Sequence, residues 1–352
     1  MILEETKILR VKSDLSGDDD IEKIAFAADI IKRGGIVAFP TETVYGLGAN
    51  ALDEKAVAAI FTAKGRAQDN PLIVHVCSTR DIEKYAFCEI NKNAALLMEQ
   101  MPAPLTIILP KKDIIPLCVT AGLENVAMRV PQNIVARKLI ELSGKPICAP
   151  SANLSGKPSP TKAWHVEADM MGKADVIIDG GDCAVGLEST VVSLCHDIPK
   201  LLRPGGFTYE KLCELLGKVE ISDAVLEKLK EGQTAESPGM KYKHYAPEAK
   251  IVLIKGNEAK VKEFILAKYR EENCGIICFE EDTDEKSDRI FVMGSRKDEK
   301  EYAEKMFDAL RLTDKISGTD TFYAVLPETT DGISLAIYNR MLRAASFNII
   351  EL

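Results

Sequence analysis

The chain has 352 residues, enough for two domains that each bury a hydrophobic core. Hydrophobic residues make up 46% of it and charged residues 28%, proportions typical of a globular protein. The formal net charge is −9, of which residues 1–216 contribute −4, from 24 basic and 28 acidic side chains. This balance argues against tight nucleic-acid binding and confines any anion site to a local pocket.

The sequence shows none of the patterns that mark secretion, membrane insertion or zinc binding. Acidic residues interrupt the short apolar stretch at the N-terminus, and no run of about 18 apolar residues occurs. The nine cysteines are irregularly spaced without a Cys-x-x-Cys pair, and the four histidines lie far apart. We therefore expect a cytoplasmic protein with reduced thiols and no metal site built by the protein.

The first 216 residues are predicted to form one α/β domain. A helix that ends at Gly34 precedes the short strand 36–40, and residues 41–50 are predicted to be a loop. A helix follows over 53–65, with Asp53 as its N-cap and Gly65 as its end. Further on, strands follow one another with few helices between them, which favours a twisted mixed parallel and antiparallel sheet over a doubly wound one.

The composition of the sequence becomes more polar after residue 216. Residues 217–249 are predicted to be a linker, although its end, SPGMKYKHYAPEAK at 237–250, is too rich in Lys, Tyr and His for a passive tether. Residues 250–352 are predicted to form a smaller Rossmann-like α/β domain, with helices after most strands. Its first strand lacks a Gly-x-Gly-x-x-Gly motif, so no dinucleotide is assigned to it.

Several strand ends and loops of the first domain carry chemically active side chains. Lys64 and Arg66 flank Gly65, where they are either a phosphate clamp or ordinary partners of a helix C-terminus. Arg129 lies within an apolar strand and therefore needs an anionic partner, either a protein carboxylate or a substrate carboxylate. His75, also within a strand, is either a core histidine or a site residue.

Hydroxyl-rich turns and a further arginine complete the set. The turn 149–161 is rich in Ser, Asn and Gly, a composition that can form an anion-binding concavity, while Ser189 and Arg203 lie at strand ends. No P-loop and no standard nucleophile motif occurs. Cations, hydroxyls and glycines at strand ends suit phosphate chemistry that proceeds by positioning and charge stabilisation.

Taken in order, these stretches resemble the threonylcarbamoyl-adenylate synthase family in its long form, a YrdC-like domain followed by a C-terminal domain. The resemblance rests on PTETVYGLG, KGR, PLT, MRVP, PSAN, GLESTVV, LRPG and SPGMKYKHYAP. The resemblance covers the first domain and the linker, whereas the last hundred residues match the family only in length and in the alternation of strands and helices. One departure is MPAPLT, because the family more often has Trp-Pro-Gly-Pro-Leu-Thr there.

The resemblance implies an enzyme that converts L-threonine, bicarbonate or CO2, and ATP into threonylcarbamoyl-adenylate and pyrophosphate. A downstream tRNA threonylcarbamoyl transferase complex then uses the product to modify the adenosine beside the anticodon. We also expect Mg²⁺ to enter with ATP, because no Asp/Glu cluster marks a protein-built cage.

The resemblance also implies roles for individual residues. Lys64 and Arg66 are expected to act on the phosphates and the carbamate. The threonine side is expected to include Thr41, Tyr45, His75, Arg129 and Ser189. The nucleotide side is expected to include Lys64, Arg66, Ser151, Asn153, Arg203, Ser237, His244 and Tyr245. The linker is expected to form a lid anchored by the second domain.

Other readings stay open at this stage. A carbamoyl transferase of hydrogenase maturation uses a similar domain, but it also needs zinc-finger-like Cys clusters and an acylphosphatase-like region. An RNA-binding module is weakened by the charge of −4 on the first domain. A regulatory nucleotide sensor would not release pyrophosphate in a reaction that needs both threonine and bicarbonate.

Overall fold

The structure is a computed structural model, and it describes residues 5–88, 91–227 and 244–352. Ser237 and the rest of residues 228–243 of the predicted lid lie outside these ranges. Within them, no helix is both long and apolar enough to cross a membrane.

The first domain combines strands and helices in the order predicted for a mixed α/β fold. Its strands are β1 (Lys7–Arg10), β2 (Val37–Phe39), β3 (Gly46–Asn50), β4 (Ile73–His75), β5 (Leu105–Pro110), β6 (Asn125–Arg129), β7 (Ile147–Ala149), β8 (Val176–Asp179), β9 (Thr190–Ser193), β10 (Lys200–Arg203) and β11 (Glu220–Ile221). Its helices are α1 (Asp20–Lys32), α2 (Glu54–Lys64), α3 (Thr79–Tyr85), α4 (Lys92–Met98), α5 (Leu117–Thr120), α6 (Ile134–Ser143), α7 (Ala163–Met170) and α8 (Tyr209–Leu216).

These strands form one eleven-stranded sheet in the order β1-β8-β2-β3-β7-β4-β6-β5-β9-β10-β11. The sheet contains both parallel pairs, such as β4 with β6, and antiparallel pairs, such as β3 with β7, which confirms the predicted mixed sheet. Strand β11 pairs with β10 and extends the sheet to Ile221. The predicted domain boundaries at 216 and 249 stay predictions, but the first five residues of the predicted linker lead into and form this edge strand.

Helix α2 shows how local sequence places a functional segment. The Asp53 carboxylate accepts hydrogen bonds from the backbone N–H groups of Lys55 and Ala56, and Gly65 ends the helix in the left-handed conformation at φ 61°. Both features match the sequence-based prediction. They fix the point at which the chain leaves the helix, and so they fix the directions of Lys64 and Arg66.

The prediction of a loop throughout 41–50 is wrong for its second half, because residues 46–50 form β3, antiparallel to β2. Gly46 and Gly48 suggested a turn, yet neither has a positive φ. A Cβ on Gly48 would lie 2.6 Å from both Phe39 Cε1 and Ile147 Cγ2. The glycine therefore lets β3 lie against a buried phenyl ring, and the true loop is limited to residues 40–45.

The second domain is a five-stranded, fully parallel sheet in the order β14-β13-β15-β12-β16. Its strands are β12 (Lys250–Lys255), β13 (Gly275–Cys278), β14 (Ile290–Val292), β15 (Thr321–Val325) and β16 (Ile349–Glu351), and its helices are α9 (Glu258–Glu271), α10 (Glu299–Thr313) and α11 (Ser334–Ala344). This architecture confirms the predicted Rossmann-like unit. Strand β16, which the sequence analysis did not predict, completes one edge.

Helices α10 and α11 carry most of the polar contacts between the two domains. On α10, Asp308 accepts from Lys162 Nζ at 2.8 Å, and Arg311 pairs with Asp169 at 2.7 Å. On α11, Arg340 pairs with Glu188 at 3.0 Å. Because Asp169, Arg311, Arg340 and Glu188 are buried, the two domains share one continuous interior along this face.

Candidate functional site

One cavity collects most of the predicted site residues at strand ends of the first domain. Its lining comprises Thr41, Thr43, Val44, Tyr45, Gly46, Arg66, Ile73, His75, Arg129, Ala149, Pro150, Ser151, Glu188, Ser189, Arg203, His244 and Tyr245. Of the predicted residues in the described ranges, only Lys64 and Asn153 are not part of this lining, and both contact the turn that carries Ser151. Groups from distant parts of the chain therefore converge on a single hollow.

The loop between β2 and β3 is closed by its own threonine. Thr41 Oγ1 donates to the Val44 carbonyl at 2.6 Å and accepts the N–H groups of Thr43 and Val44 at 3.2 and 3.3 Å. The Tyr45 hydroxyl donates to the Gly181 carbonyl at 2.7 Å, and burial raises its pKa. Thr41 and Tyr45, two of the residues predicted for the threonine side, thus form a rigid, largely apolar wall that carries neutral hydroxyl groups.

Arg129 projects from β6 and already has a protein partner. Its Nη2 donates to the carboxylate of Glu42, and its Nη1 donates to Thr43 Oγ1 at 2.9 Å. The other oxygen of Glu42 accepts the backbone N–H of Gln132 at 3.0 Å. The third guanidinium donor, Nε, is buried and has no hydrogen-bond partner among the described residues. A substrate carboxylate at Arg129 would therefore meet a guanidinium that the protein has partly neutralised and held in place.

His75 lies opposite on β4 as a neutral imidazole. Its Nδ1 donates to the Ile73 carbonyl at 3.1 Å, which leaves Nε2 as an acceptor. Burial, followed by the positive charge of Arg129, lowers the pKa of His75 to about 3. The ring can position a substrate donor but does not supply a proton at neutral pH.

Lys64 supports the cavity from beneath the turn after β7. Its buried Nζ donates to the backbone carbonyls of Ser151 and Asn153, each at 2.5 Å. Burial, and then the nearby Arg66, lowers its pKa well below the ordinary 10.5. The turn is also closed by Ser151 Oγ, which donates to Asn153 Oδ1 at 2.5 Å. In this structure the ammonium fixes the Ser151 turn, one residue layer from the open space.

Arg66 and Arg203 bring positive charge to the cavity itself. Arg66 Nη2 donates to the carbonyls of Asn70 and Pro71 at 3.4 and 3.3 Å, which holds its side chain along the rim. Arg203 Nε donates to the Ser189 carbonyl at 3.0 Å, and its Nη2 donates to Ser189 Oγ at 3.1 Å. Burial lowers the pKa of Arg203 to about 10, so the guanidinium still carries its charge at neutral pH.

His244 and Tyr245 close the cavity from the end of the linker. Tyr245 has a φ of 64°, which is unusual for a residue with a side chain, and its ring lies 5.3 Å from that of Phe307 on α10. His244 Nε2 is buried without a hydrogen-bond partner in the described ranges, and burial, then Arg66 and Arg343, lower its pKa to about 3. The ring contact with Phe307 places Tyr245 against the second domain, whereas the role of this segment as a lid stays a prediction.

Sequence reasoning missed two acidic residues and one arginine of the second domain. Glu42 and Glu188 lie inside the quoted motifs PTETVYGLG and GLESTVV, but their side chains were given no role. Each carboxylate is buried and paired with an arginine, Glu42 with Arg129 and Glu188 with Arg340. A buried acid flanked by small residues was the available signal, because such a charge needs a partner.

The described residues contain no group of three or more His, Cys, Asp or Glu side chains that could hold a metal ion. Glu42 and Glu188, the two carboxylates of the cavity region, already accept hydrogen bonds from arginines.

Two family models match the chain. The model described as Telomere recombination matches residues 29–205, and the model described as Threonylcarbamoyl-AMP synthase, C-terminal domain, matches residues 207–346. The chain is 46% identical over 333 residues to a threonylcarbamoyl-AMP synthase of Pyrococcus abyssi, covering 94% of this chain and 96% of that one. It is 42% identical over 345 residues to one of Bacillus subtilis, covering 97% of both chains.

Solved structures show the same similarity in three dimensions. The crystal structure of P. abyssi Sua5 complexed with L-threonine has a TM-score of 0.90 at 44% identity, covering 99% of this chain and 100% of that chain. Escherichia coli YciO has a TM-score of 0.51 at 24% identity over 57% of this chain, a similarity that shows the fold alone. Both domains of the chain, and their arrangement, thus have a close structural relative.

Proposed function

Because the chain belongs to the threonylcarbamoyl-AMP synthase family, we propose that it makes threonylcarbamoyl-AMP and pyrophosphate from L-threonine, bicarbonate or CO2, and ATP. The product supplies a tRNA threonylcarbamoyl transferase complex that modifies the adenosine next to the anticodon. The observation that supports this function most directly is the convergence of Arg66, Arg129 and Arg203 on one cavity. Such a cavity suits two anionic substrates that must approach each other.

The residues of the cavity fit the electrostatic problem of the reaction. A carbamate formed on the threonine nitrogen must attack the α-phosphorus of ATP, and both groups are anions. Fixed guanidinium groups lower the cost of this approach, and their effect is larger in a site shielded from water. No standard nucleophile motif occurs in the sequence, so the contribution of the cavity residues is to bind, orient and neutralise.

The threonine side is assigned to the loop between β2 and β3, with its neighbours on β4 and β6. The unpartnered Nε of Arg129 offers a donor to the threonine carboxylate, and His75 Nε2 offers an acceptor nearby. Thr41 and Tyr45 shape the wall, while Ser189 presents a hydroxyl held by Thr106 at 2.8 Å. Neutral hydroxyls around one guanidinium suit a small zwitterionic amino acid.

The nucleotide side is assigned to the turn after β7 and to β10. Ser151 and Asn153 form the turn that Lys64 fixes, and Arg66 and Arg203 face the cavity from either side of it. Ser237, which lies outside the described residues, stays a prediction for the same surface. Mg²⁺ bound to the phosphates of ATP would add positive charge at the pyrophosphate. Such an ion would not need a protein carboxylate as a ligand.

The segment 244–247 completes the site as a lid. His244 lines the cavity and its buried Nε2 has no hydrogen-bond partner among the described residues, while Tyr245 attaches the segment to the second domain. A cover of this kind protects a carbamate and a mixed anhydride from hydrolysis.

The decisive experiment mixes the protein with ATP, Mg²⁺, L-threonine and bicarbonate and searches for threonylcarbamoyl-AMP by mass spectrometry. The expected result is product and an equal amount of pyrophosphate, both dependent on threonine and on bicarbonate. Pyrophosphate release without either substrate, or no product at all, would contradict the proposal.

A further inference from the structure

Arg340 is a residue of the second domain that lies behind the wall of the candidate cavity, where it contacts the lining residue Glu188. It lies on α11, its side chain is fully buried, and its Nε donates to Glu188 Oε2 at 3.0 Å. Glu188 itself lines the cavity next to Ser189. One charge of the wall is therefore balanced from a different domain, across 152 positions of the chain.

The same guanidinium also contacts the backbone on both sides of the cavity wall. Its Nη1 donates to the Pro204 carbonyl at 2.6 Å, and its Nη2 lies 3.4 Å from the Glu188 carbonyl. These two carbonyls belong to the residue after Arg203 and the residue before Ser189. The two strands meet closely here, because a Cβ on Gly205 would lie 2.5 Å from the Glu188 carbonyl oxygen.

The charge of Glu188 is the reason why this contact matters for anionic substrates. Its Oε1 accepts from Ser159 Oγ at 2.5 Å, so the carboxylate is held in place on both oxygens. A buried carboxylate without a cation beside a cavity that receives ATP would repel the phosphates at low effective dielectric. Neutralisation by Arg340 removes this repulsion.

We propose that Arg340 is a positioning residue for the synthase reaction, which acts through Glu188 by neutralising it so that the cavity accepts ATP. This role deepens the proposed function and rests on it. It also assigns the second domain an electrostatic task in the active site, in addition to holding the lid.

Because Glu188 is titratable, the effect of removing Arg340 on ATP binding depends on pH. Glu188 is faced by Arg340 from α11, by Arg203 from β10, and by Tyr245 and His244 from the lid. Although burial alone raises the pKa of Glu188, Arg340 and then Arg203 lower it below its usual value. Removing Arg340 raises this pKa, so the unpaired carboxyl group takes up a proton as the pH falls and the repulsion disappears.

The test compares ATP binding and turnover in full-length variants. In Arg340→Met, the dissociation constant for ATP, measured by calorimetry, and the KM for ATP are expected to rise by at least about tenfold. Both should improve as the pH is lowered toward the raised pKa of Glu188. In the double variant Glu188→Gln/Arg340→Met, which has no unpaired charge, most of the ATP affinity should return and its added pH dependence should vanish.

Arg311→Met is the matched control for loosening the domain contact. Arg311 is also a buried arginine of the second domain paired with a first-domain carboxylate, but its partner Asp169, unlike Glu188, does not line the cavity. This variant should melt at a lower temperature while its ATP affinity stays within about twofold of the wild type.

Two results would overturn the proposal: normal ATP affinity in folded Arg340→Met, or a double variant as weak as the single one. Calorimetry separates this outcome from failure of the proposed function. If the wild-type protein binds ATP but makes no threonylcarbamoyl-AMP, the function is wrong, whereas the comparison of ATP affinities still decides the role of Arg340. If the wild-type protein binds no ATP, both proposals are wrong.

Discussion

Arg129 is paired with Glu42 inside the cavity, with both side chains buried. The sequence left open whether the partner of this arginine is a protein carboxylate or a substrate carboxylate. The structure contains the protein partner, and Nε is buried without a hydrogen-bond partner among the described residues. The arginine therefore has a structural task, to balance Glu42, and its second task toward threonine stays a prediction.

The two tasks of Arg129 can be separated by removing its partner as well. Arg129→Met should raise the KM for threonine by at least about tenfold and should cost about 3–5 kcal/mol of stability, since Glu42 is left buried and unpaired. Glu42→Gln/Arg129→Met should regain most of that stability but not the affinity for threonine. Urea unfolding and steady-state kinetics measure the two effects. Recovery of threonine affinity in the double variant would show that Arg129 acts only on Glu42.

Lys64 is expected to be essential although its ammonium is turned to the backbone. Lys64→Met should lower the rate of threonylcarbamoyl-AMP formation by at least about a hundredfold, because the Ser151 turn loses its central donor and the phosphates lose a charge. Lys55→Met, an exposed change on the same helix, is the control and should keep wild-type turnover. Product is measured by mass spectrometry. If a folded Lys64→Met protein turns over at the wild-type rate, the assigned role is wrong.

Local patterns predicted the elements and the positions of most site residues. Asp53 and Gly65 identified the ends of α2, the position of Arg129 inside an apolar strand marked it as a charge in need of a partner, and strand ends identified Ser189 and Arg203. Such signals depend on neighbours within a few residues. The prediction of a loop was wrong for residues 46–50, because the glycines of this stretch allow close packing against the Phe39 ring and do not form a turn.

The charge pairs of the site could not be predicted in the same way. Glu42 and Arg129 are 87 positions apart, and Glu188 and Arg340 are 152 positions apart. Such pairing depends on how sheets and domains pack, and residue spacing carries no information about it. The sequence showed that Arg129 needs an anionic partner, but it did not identify Glu42, and it did not reveal the pair of Glu188 and Arg340.

Acid should destabilise the protein through its buried neutral histidines. The pKa of His75 is lowered from 6.5 to about 3, so between these values the unfolded chain binds a proton that the folded chain does not. The free energy of unfolding therefore falls as the pH decreases through this window, by about 1.4 kcal/mol per pH unit for one such group. Urea unfolding at several pH values measures the slope.

His75→Gln should reduce that slope by close to one proton relative to the wild type. An unchanged slope in His75→Gln would mean that this imidazole is protonated equally in both states.

Tyr245 should determine how well the site is sealed during the reaction. Its ring packs against Phe307 of α10, and the neighbouring Ala246 N–H donates to the Gly156 carbonyl at 3.0 Å, so the segment is attached to both domains. Tyr245→Ala removes the attachment to α10 and admits water, whereas Tyr245→Phe keeps the ring contact. In the alanine variant, pyrophosphate released should exceed threonylcarbamoyl-AMP recovered, because intermediates are hydrolysed in the open site. In the phenylalanine variant the two amounts should stay close to equal. Quantifying pyrophosphate and product in the same reaction tests this, and equal amounts from Tyr245→Ala would remove the assigned sealing role from this side chain.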